Sequence, residues 1–395
     1  MAPHLAGRPE LGPGHHLLMD RIRVIRTHVL AIPHRQRYHW AIGAPEGTNN
    51  VLVEIETEGG VIGIGDACGT RSAIATSATI ETVAPLLVGE DPFRIEWLLG
   101  RLYRQGNWSN QRRFANQAFA GIEMALWDIC GKTTGQPVAS LLGGRVRDRI
   151  EWFGFIQGYE PTELADHARQ LVERGFTVLY MKVGIEPERD VRAVRAVRQA
   201  VGSEVRIRVD ANEAWDRLTA RRMIRRLGEF DLDWVEQPLV FYDLDGMAEL
   251  RRSVETPIAL DQSVFTDYDV YQACAAGAAD VVVVGFHETG GLLSLRKAAA
   301  VAAAAGVQLN RHAVIGESGV STLAALQVLA TIPNLTDGNQ VMEGLFVDDT
   351  ITDGLFTIEA GSSLVPSGPG LGVEIDWERV RYFRDLFLRV GQYPN

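Results

Sequence analysis

Hydrophobic and polar positions follow two different patterns along the chain, and the change occurs near residue 150. From there, short β-rich runs alternate with amphipathic stretches that carry apolar residues at helical spacing. Glycine follows several of the helical stretches, as is common where helices end. The predicted strands are 149–156, 176–184, 204–210, 232–237, 256–262, 279–286 and 306–313, with a weaker eighth at 338–346.

Strictly alternating strands and helices indicate parallel βαβ units. Eight units over about 200 residues predict an α/β fold of the (β/α)8 type, a TIM-like barrel. A doubly wound open sheet is the alternative. It would need a glycine-rich phosphate turn after its first strand, and the stretch FIQGYEPTEL lacks the GxGxxG pattern. The barrel is therefore favoured.

The region before the barrel has strand-like alternation followed by helical patterns. Residues 20–60 predict a meander with EGG as a hairpin turn, and helices are predicted at 72–87, 91–105 and 111–133. We expect an α+β capping domain, built from this N-terminal region and the C-terminal tail, that forms a cleft over one end of the barrel. The predicted divisions are an extension at 1–19, the cap at 20–148, the barrel with the active site at 149–346, and a segment at 347–395 that packs back on the cap.

Composition excludes several classes of protein. With 39 Lys+Arg against 50 Asp+Glu, the net charge of −11 argues against a nucleic-acid binder, which would show a basic patch. The three cysteines are scattered and indicate free thiols in a reducing compartment. No stretch approaches the ~20 apolar residues of a membrane span, and no signal peptide is evident. We expect a cytoplasmic homo-oligomer that binds neither nucleic acid nor membrane.

Polar residues at the predicted strand ends suggest the chemistry. The last polar residues of five strands are Lys182, Asp210, Glu236, Asp261 and His312, spaced by one or two βα units. Three carboxylates that converge on one point repel each other unless a cation lies among them. Oxygen-only ligands select a hard divalent ion, Mg²⁺ or else Mn²⁺.

Lys182 is one of only three lysines in the chain. Arginine cannot lose its proton near neutral pH, whereas a lysine beside a cation has a lowered pKa and can act as a base. His312 would face Lys182 across the ring. A small carboxylate substrate bound to the ion would become more acidic at its α-carbon, because the ion stabilises the enediolate that forms on proton loss.

This constellation resembles the enolase superfamily, in its mandelate racemase/muconate lactonizing branch. The resemblance extends from about residue 20 over the rest of the chain and rests on MKVG, RVDANEAW, WVEQPL, IALDQS, TGG, ESGVSTLAALQVLATIPN and the cap segment 120–144. It implies that Asp210, Glu236 and Asp261 hold Mg²⁺ and that Lys182, the second lysine of a KxK motif, is a general acid/base. It also implies that Asn212 and Glu317 contact the substrate.

Departures from the family pattern bear on specificity. Tyr180 replaces the first lysine of KxK and is expected on the substrate side, and Gln262 replaces a glutamate beside Asp261. Gly285 stands where the sixth strand would carry an acid or a lysine, so Glu288 or another acid would have to partner His312. His287 is a candidate second acid or substrate contact.

The cap loop supplies two further candidates, Arg35 and Arg37, for a second anionic group of the substrate. We expect Mg²⁺-dependent removal of an α-proton, with dehydration of a hydroxy or sugar acid as the leading reaction. Racemisation, epimerisation or cycloisomerisation is the alternative, and a non-catalytic metal-binding protein is a third interpretation.

Overall fold

The computed structural model describes residues 20–35, 45–68, 72–342 and 344–393. Its N-terminal part contains a three-stranded antiparallel sheet whose strands follow one another in chain order. The sheet confirms the predicted meander, with a tight turn between the second and third strands. The strands are β1 (Ile22–Pro33), β2 (Gly47–Thr57) and β3 (Ile62–Ala67).

Helices cover one face of this sheet, and the longest of them packs closely on β3. A Cβ atom at Gly63 would lie 2.1 Å from Ala125 O, and one at Gly65 would lie 1.9 Å from Gly121 O. Both glycines are therefore needed for the close approach of helix and strand. The helices of this part are α1 (Ala73–Val83), α2 (Ile95–Gln105), α3 (Arg112–Thr134) and the short α4 (Val138–Leu141), with a 3-10 turn at Ala84–Leu86.

The second part is a curled parallel sheet of seven strands in consecutive order, which confirms the predicted barrel-type fold. The strands after the cap are β4 (Arg149–Glu151), β5 (Gly154–Phe155), β6 (Val178–Lys182), β7 (Arg206–Asp210), β8 (Trp234–Glu236), β9 (Ile258–Leu260), β10 (Val281–Val283), β11 (Gln308–Asn310) and β12 (Ser362–Leu364). The helices are α5 (Pro161–Glu173), α6 (Pro187–Val201), α7 (Arg217–Gly228), α8 (Leu244–Ser253), α9 (Asp267–Ala276), α10 (Phe286–Thr289), α11 (Leu292–Ala304), α12 (Gly319–Leu329) and α13 (Trp377–Val390).

The structure differs from the predicted set of eight strands at both edges of the sheet. The first predicted strand, 149–156, is divided: β4 pairs antiparallel with β12, and only β5 joins the parallel sheet. The described residues of the eighth predicted strand, 338–346, form no regular strand.

An irregular segment closes the gap between the two edge strands. Thr336 N donates to Leu309 O at 2.8 Å on one side, and Asn339 N donates to Glu151 O at 2.8 Å on the other. Phe153 N in turn donates to Asn339 O at 3.0 Å. The ring is therefore completed by isolated hydrogen bonds, which leave no alternation of side chains for a sequence pattern to reveal.

Helix α13, near the end of the chain, packs against β1. The rings of His28 and Trp377 meet edge to face, with their centroids 5.5 Å apart. Within the described residues, no helix is long and apolar enough to cross a membrane.

The cap also holds the barrel through a buried acid, Glu123 of α3. Its carboxylate accepts hydrogen bonds from Leu292 N at 2.7 Å, from Leu293 N at 2.9 Å and from Trp127 Nε1 at 2.8 Å. The first two donors begin α11, where backbone N–H groups have no partner within the helix. Glu123 therefore caps a barrel helix from the cap domain.

We expect Glu123→Gln to destabilise the fold by about 1–3 kcal/mol, because the glutamine amide would turn an N–H donor toward a buried backbone donor. Burial raises the pKa of Glu123 from 4.5 to about 7, so the folded state holds this proton more tightly than the unfolded state. Glu123 therefore makes stability fall as pH rises from about 4.5 to 7, and the variant should show a shallower fall. Denaturant unfolding of the wild type and the variant at pH 5 and pH 7.5 measures both effects. Equal free energies of unfolding for the two proteins, with the same change between the two pH values, would contradict this role.

Candidate active site

Four predicted site residues lie at the carboxyl ends of neighbouring barrel strands. Lys182, Asp210 and Glu236 are the last residues of β6, β7 and β8, and Asp261 directly follows β9. In the strand register, Lys182 pairs with Asp210 and Asp210 pairs with Glu236. Parallel strands place such residues at one end of the barrel, as the spacing predicted.

The Tyr180 hydroxyl lies between two of these acids, 2.6 Å from Asp210 Oδ2 and 2.9 Å from Glu236 Oε1. A phenol has one proton and donates it to one carboxylate at a time. The ring is buried and stacks on Phe153, with centroids 4.5 Å apart. Burial, Asp210 and Glu236 raise the pKa of Tyr180, so the hydroxyl keeps its proton. Tyr180 thus contacts the predicted metal ligands, and its contact with substrate stays a prediction.

Lys182 and Asn212 both contact Asp210. Lys182 Nζ lies 2.5 Å from Asp210 Oδ2 and 3.4 Å from the Tyr180 hydroxyl, and its side chain is 22% exposed. Asn212 has a left-handed backbone, φ 45°, and donates to Asp210 from its backbone N at 2.7 Å and from Nδ2 at 2.8 Å. The lysine is thus both anchored and reachable, while the substrate contact of Asn212 stays a prediction.

The three acids are buried within reach of each other's charge. Burial, Asp210 and Asp261 raise the pKa of Glu236 to about 8. Burial also raises the pKa of Asp261 to about 6, although His312 opposes the shift. Carboxylates in such a setting are stabilised by a nearby cation.

The chemistry of this donor set fits a hard divalent ion, which prefers carboxylate oxygen. Next to Asp261, the Gln262 Oε1 atom is buried without a hydrogen-bond partner among the described residues. In the present side-chain arrangement, no group of three or more Asp, Glu, His or Cys in the described ranges could hold a metal ion. The residues thus fit the ion by charge and donor type but are not gathered around one point in this arrangement. Asp210, Glu236 and Asp261 stay its predicted ligands.

His312 lies two residues beyond β11 and is paired with Glu288 of α10. Its Nδ1 atom is 2.9 Å from Glu288 Oε1 and 3.9 Å from Asp261 Oδ1. Burial alone would lower the pKa of His312, but Asp261 and Glu288 outweigh it and raise the pKa to about 10. The sequence left open which acid replaces the missing sixth-strand partner of His312. In the structure, Glu288 contacts the histidine.

His287 points elsewhere, into the contact between cap and barrel. Its Nε2 atom lies 3.2 Å from Cys68 Sγ and 3.0 Å from Ser321 Oγ, and the residue is fully buried. Burial lowers its pKa to about 3, so the ring is neutral at ordinary pH. The hydrogen bonds of His287 thus go to Cys68 and Ser321 and not to Lys182 or His312, and its role as a second acid or substrate contact stays a prediction.

The Glu317 carboxylate is bound by neighbouring residues of the barrel. Its carboxylate forms an ion pair with Arg311 and accepts a hydrogen bond from Val314 N at 3.0 Å. It borders a cavity of about 190 Å³ that Arg35 also lines, and Arg35 Nε donates to Phe346 O at 2.5 Å. Contacts of Glu317 and Arg35 with substrate stay predictions, and Arg37 lies outside the described residues.

Cap residues that the sequence did not suggest hold the segment around Glu288. Asn116 Nδ2 donates to Glu288 O at 2.5 Å, and the Tyr103 hydroxyl donates to Asn116 Oδ1 at 2.6 Å. Asp66 of β3 also accepts from Ser318 Oγ at 2.7 Å, and Ser318 follows Glu317 in the chain. The TGG motif was the only sequence signal for the first contact, because its glycines leave room for neighbours.

Comparison with known proteins finds family models that match both parts of the chain. Residues 22–143 match the family model "Mandelate racemase / muconate lactonizing enzyme, N-terminal domain", and residues 163–380 match "Enolase C-terminal domain-like". The D-galactarolactone cycloisomerase of Agrobacterium fabrum is 31% identical over 92% of this chain and 99% of its own length.

Two further relatives carry different activities. The arabinonate dehydratase of Saccharolobus solfataricus is 31% identical over 82% of this chain and 88% of its own. The crystal structure of N-succinyl Arg/Lys racemase from Bacillus cereus superposes with a TM-score of 0.84 at 27% identity, covering 92% of this chain and 98% of that one. The relatives thus include a cycloisomerase, a dehydratase and a racemase.

Proposed function

Because the chain belongs to the mandelate racemase/muconate lactonizing branch of the enolase superfamily, and is therefore an enzyme, we propose that it removes the α-proton of a small carboxylate substrate through Lys182. The observation that carries this proposal is a lysine and a histidine at the two ends of one row of buried acids. Lys182 ends the second strand of the sheet, and His312 follows the seventh.

Membership of this family implies a divalent metal ion, usually Mg²⁺. Asp210, Glu236 and Asp261 would hold it, and when bound it would bind the substrate carboxylate and make the α-proton more acidic. The proton transfers are made by side chains of the protein. Lys182 accepts the α-proton at Nζ, and Asp210, 2.5 Å away, holds that ammonium group in place.

His312 is the acid on the other side of the substrate. Glu288 at Nδ1 keeps the ring in one orientation and favours its protonated form, so that Nε2 is the atom free to give a proton. If His312 gives this proton to a β-hydroxyl, water leaves and the reaction is a dehydration. We place dehydration first among the candidate reactions. An enol so formed becomes an α-keto acid in solution.

Given to the α-carbon, the same proton inverts the stereocentre, as in a racemase or epimerase. The His312–Glu288 pair specifically supports racemisation or epimerisation. The weakness of that candidate in the sequence was the missing sixth-strand acid beside the histidine, and Glu288 takes this place. Cycloisomerisation belongs to the same alternative, and the relatives include cycloisomerase, racemase and dehydratase activities. In each of these reactions, as proposed for this chain, Lys182 would move the same α-proton.

A panel of acid sugars, hydroxy acids, N-acyl amino acids and lactones, incubated with Mg²⁺ in D₂O, separates the candidates. We expect at least one compound to exchange its α-proton, as measured by proton NMR. Accompanying α-keto acid indicates dehydration, whereas exchange in both enantiomers without loss of water indicates racemisation. Absence of exchange across the whole panel, with Mg²⁺ and Mn²⁺ each tested, would count against α-proton removal.

A further inference from the structure

Gly285 follows the sixth barrel strand, at the place where the resemblance to the family implies an acid or a lysine. Its backbone is extended, with φ −104° and ψ 155°. Any residue adopts this conformation, so the backbone does not require glycine here. The reason for a glycine must therefore lie in the space around it.

That space is filled by Glu288. A Cβ atom on residue 285 would lie 2.0 Å from Glu288 Oε2 and 3.1 Å from Glu288 Cδ. It would also lie 3.0 Å from the backbone oxygen of His312. The carboxylate of Glu288 thus occupies the position that the side chain of residue 285 would take.

Several contacts fix Glu288 in this place. Thr289 N donates to Gly285 O at 3.1 Å and closes the turn, and Asn116 Nδ2 donates to Glu288 O at 2.5 Å. Oε1 meets His312 Nδ1 at 2.9 Å, and the residue is only 4% exposed. Oε2 is buried with no hydrogen-bond partner in the described part of the chain, so the carboxylate is aligned chiefly by the histidine.

We propose that Gly285 and Glu288 act as one unit: the absent side chain at 285 makes the seat in which the Glu288 carboxylate orients His312. Glu288 is a positioning residue, since it acts through the histidine. In this unit, the carboxylate expected at position 285 of the sixth strand is supplied by Glu288, three positions later in the chain. This inference rests on the proposed function for its effect on catalysis, but not for its geometry.

The test is a double-mutant cycle with Gly285→Ala, Glu288→Ala and the double variant. Each single variant should lower kcat by ~10²-fold with little change in KM, the scale of a general acid–base contribution. Since the closest contact of the new Cβ atom in Gly285→Ala is with Glu288, adding it to Glu288→Ala should change kcat by less than about twofold. Gly368→Ala is the matched control, because a Cβ atom there meets nothing within 4 Å, and it should behave as wild type.

A rescue variant separates positioning from packing. Gly285→Asp combined with Glu288→Ala returns a carboxylate to the vacated seat, and should recover kcat at least about tenfold over Glu288→Ala alone. A general loss of packing would instead persist in this variant. Thermal unfolding of every variant verifies that the fold is retained.

Crystal structures give a readout that needs no substrate. We expect the distance from the nearest Glu288 carboxylate oxygen to His312 Nδ1 to exceed 4 Å in Gly285→Ala. In the wild type, Glu288 Oε1 lies 2.9 Å from His312 Nδ1. An unchanged separation, or multiplicative losses of kcat in the double variant, would overturn the inference. If the wild type exchanges no α-proton from any panel compound, the proposed function fails, and the crystallographic separation still decides the inference.

Discussion

Replacing Lys182 with methionine is expected to lower α-proton exchange of at least one substrate configuration by ~10³-fold, within the range for loss of a general base. Methionine keeps the length and most of the apolar stem but has no group that accepts a proton. It also leaves Asp210 without the ammonium 2.5 Å away. Because the change falls on proton transfer, kcat should fall much more than KM rises.

The chain offers a matched control in Lys297 on α11, which forms an exposed ion pair with Glu96. Exposed pairs of this kind contribute little, so Lys297→Met should keep activity within about twofold and change stability by at most ~1 kcal/mol. Exchange rates by proton NMR in D₂O measure both variants. Retention by Lys182→Met of more than a tenth of wild-type exchange for every configuration of the substrate would contradict the role of this lysine.

Replacing Glu236 with glutamine is expected to weaken Mg²⁺ binding by at least ~10²-fold, since even residues that only support ligands contribute about 10–100-fold. Glutamine keeps the size of the side chain and can still accept the Tyr180 hydroxyl, now 2.9 Å from Glu236 Oε1. It removes one negative charge from the buried group with Asp210 and Asp261. Titration calorimetry with Mg²⁺ measures the loss of affinity.

The same variant should gain stability when no metal is present. Loss of one of three mutually repelling carboxylates removes a cost of folding, so Tm without Mg²⁺ should rise. Added Mg²⁺ should raise Tm of the wild type but not of the variant. Glu249→Gln, at an exposed ion pair with Arg221, is the control and should bind Mg²⁺ as the wild type does. A Glu236→Gln protein that still binds Mg²⁺ with native affinity would remove Glu236 from the metal site.

The sequence was informative where position along the chain determines position in space. Lys182, Asp210, Glu236 and Asp261 could be found because a barrel repeats its strand every 25 residues or so and places their ends together. The hairpin and cap helices were likewise visible as local patterns. The confirmed fold class therefore follows from periodicity.

Features that depend on side-chain direction were not visible. Glu288 reaches His312 because Gly285 leaves an open volume, and no pattern reports an open volume. His287, by contrast, has the strand parity of Gly285, but the start of α10 turns it toward Cys68. Parity applies only while the strand continues, and β10 ends at Val283.

Long-range contacts and irregular backbone were equally hidden. Asn116 and Glu288 are 172 positions apart, and no local rule connects them. The eighth strand was predicted from apolar residues at 338–346, yet the chain closes the ring through single hydrogen bonds at Thr336 and Asn339. The sequence therefore indicates which strand-end residues meet, but not the long-range contacts and loops that hold them in place.

The central claim is that Lys182 takes the α-proton and that His312 gives a proton from the opposite side of the same substrate. The most direct measurement compares Lys182→Met and His312→Asn for α-proton exchange and for product formation in D₂O, with each enantiomer or epimer of an active substrate tested separately. We predict that, for at least one configuration, Lys182→Met loses exchange, whereas His312→Asn keeps exchange and loses product formation. Retained exchange of every configuration in Lys182→Met, or product formation at the wild-type rate in His312→Asn, would contradict the claim.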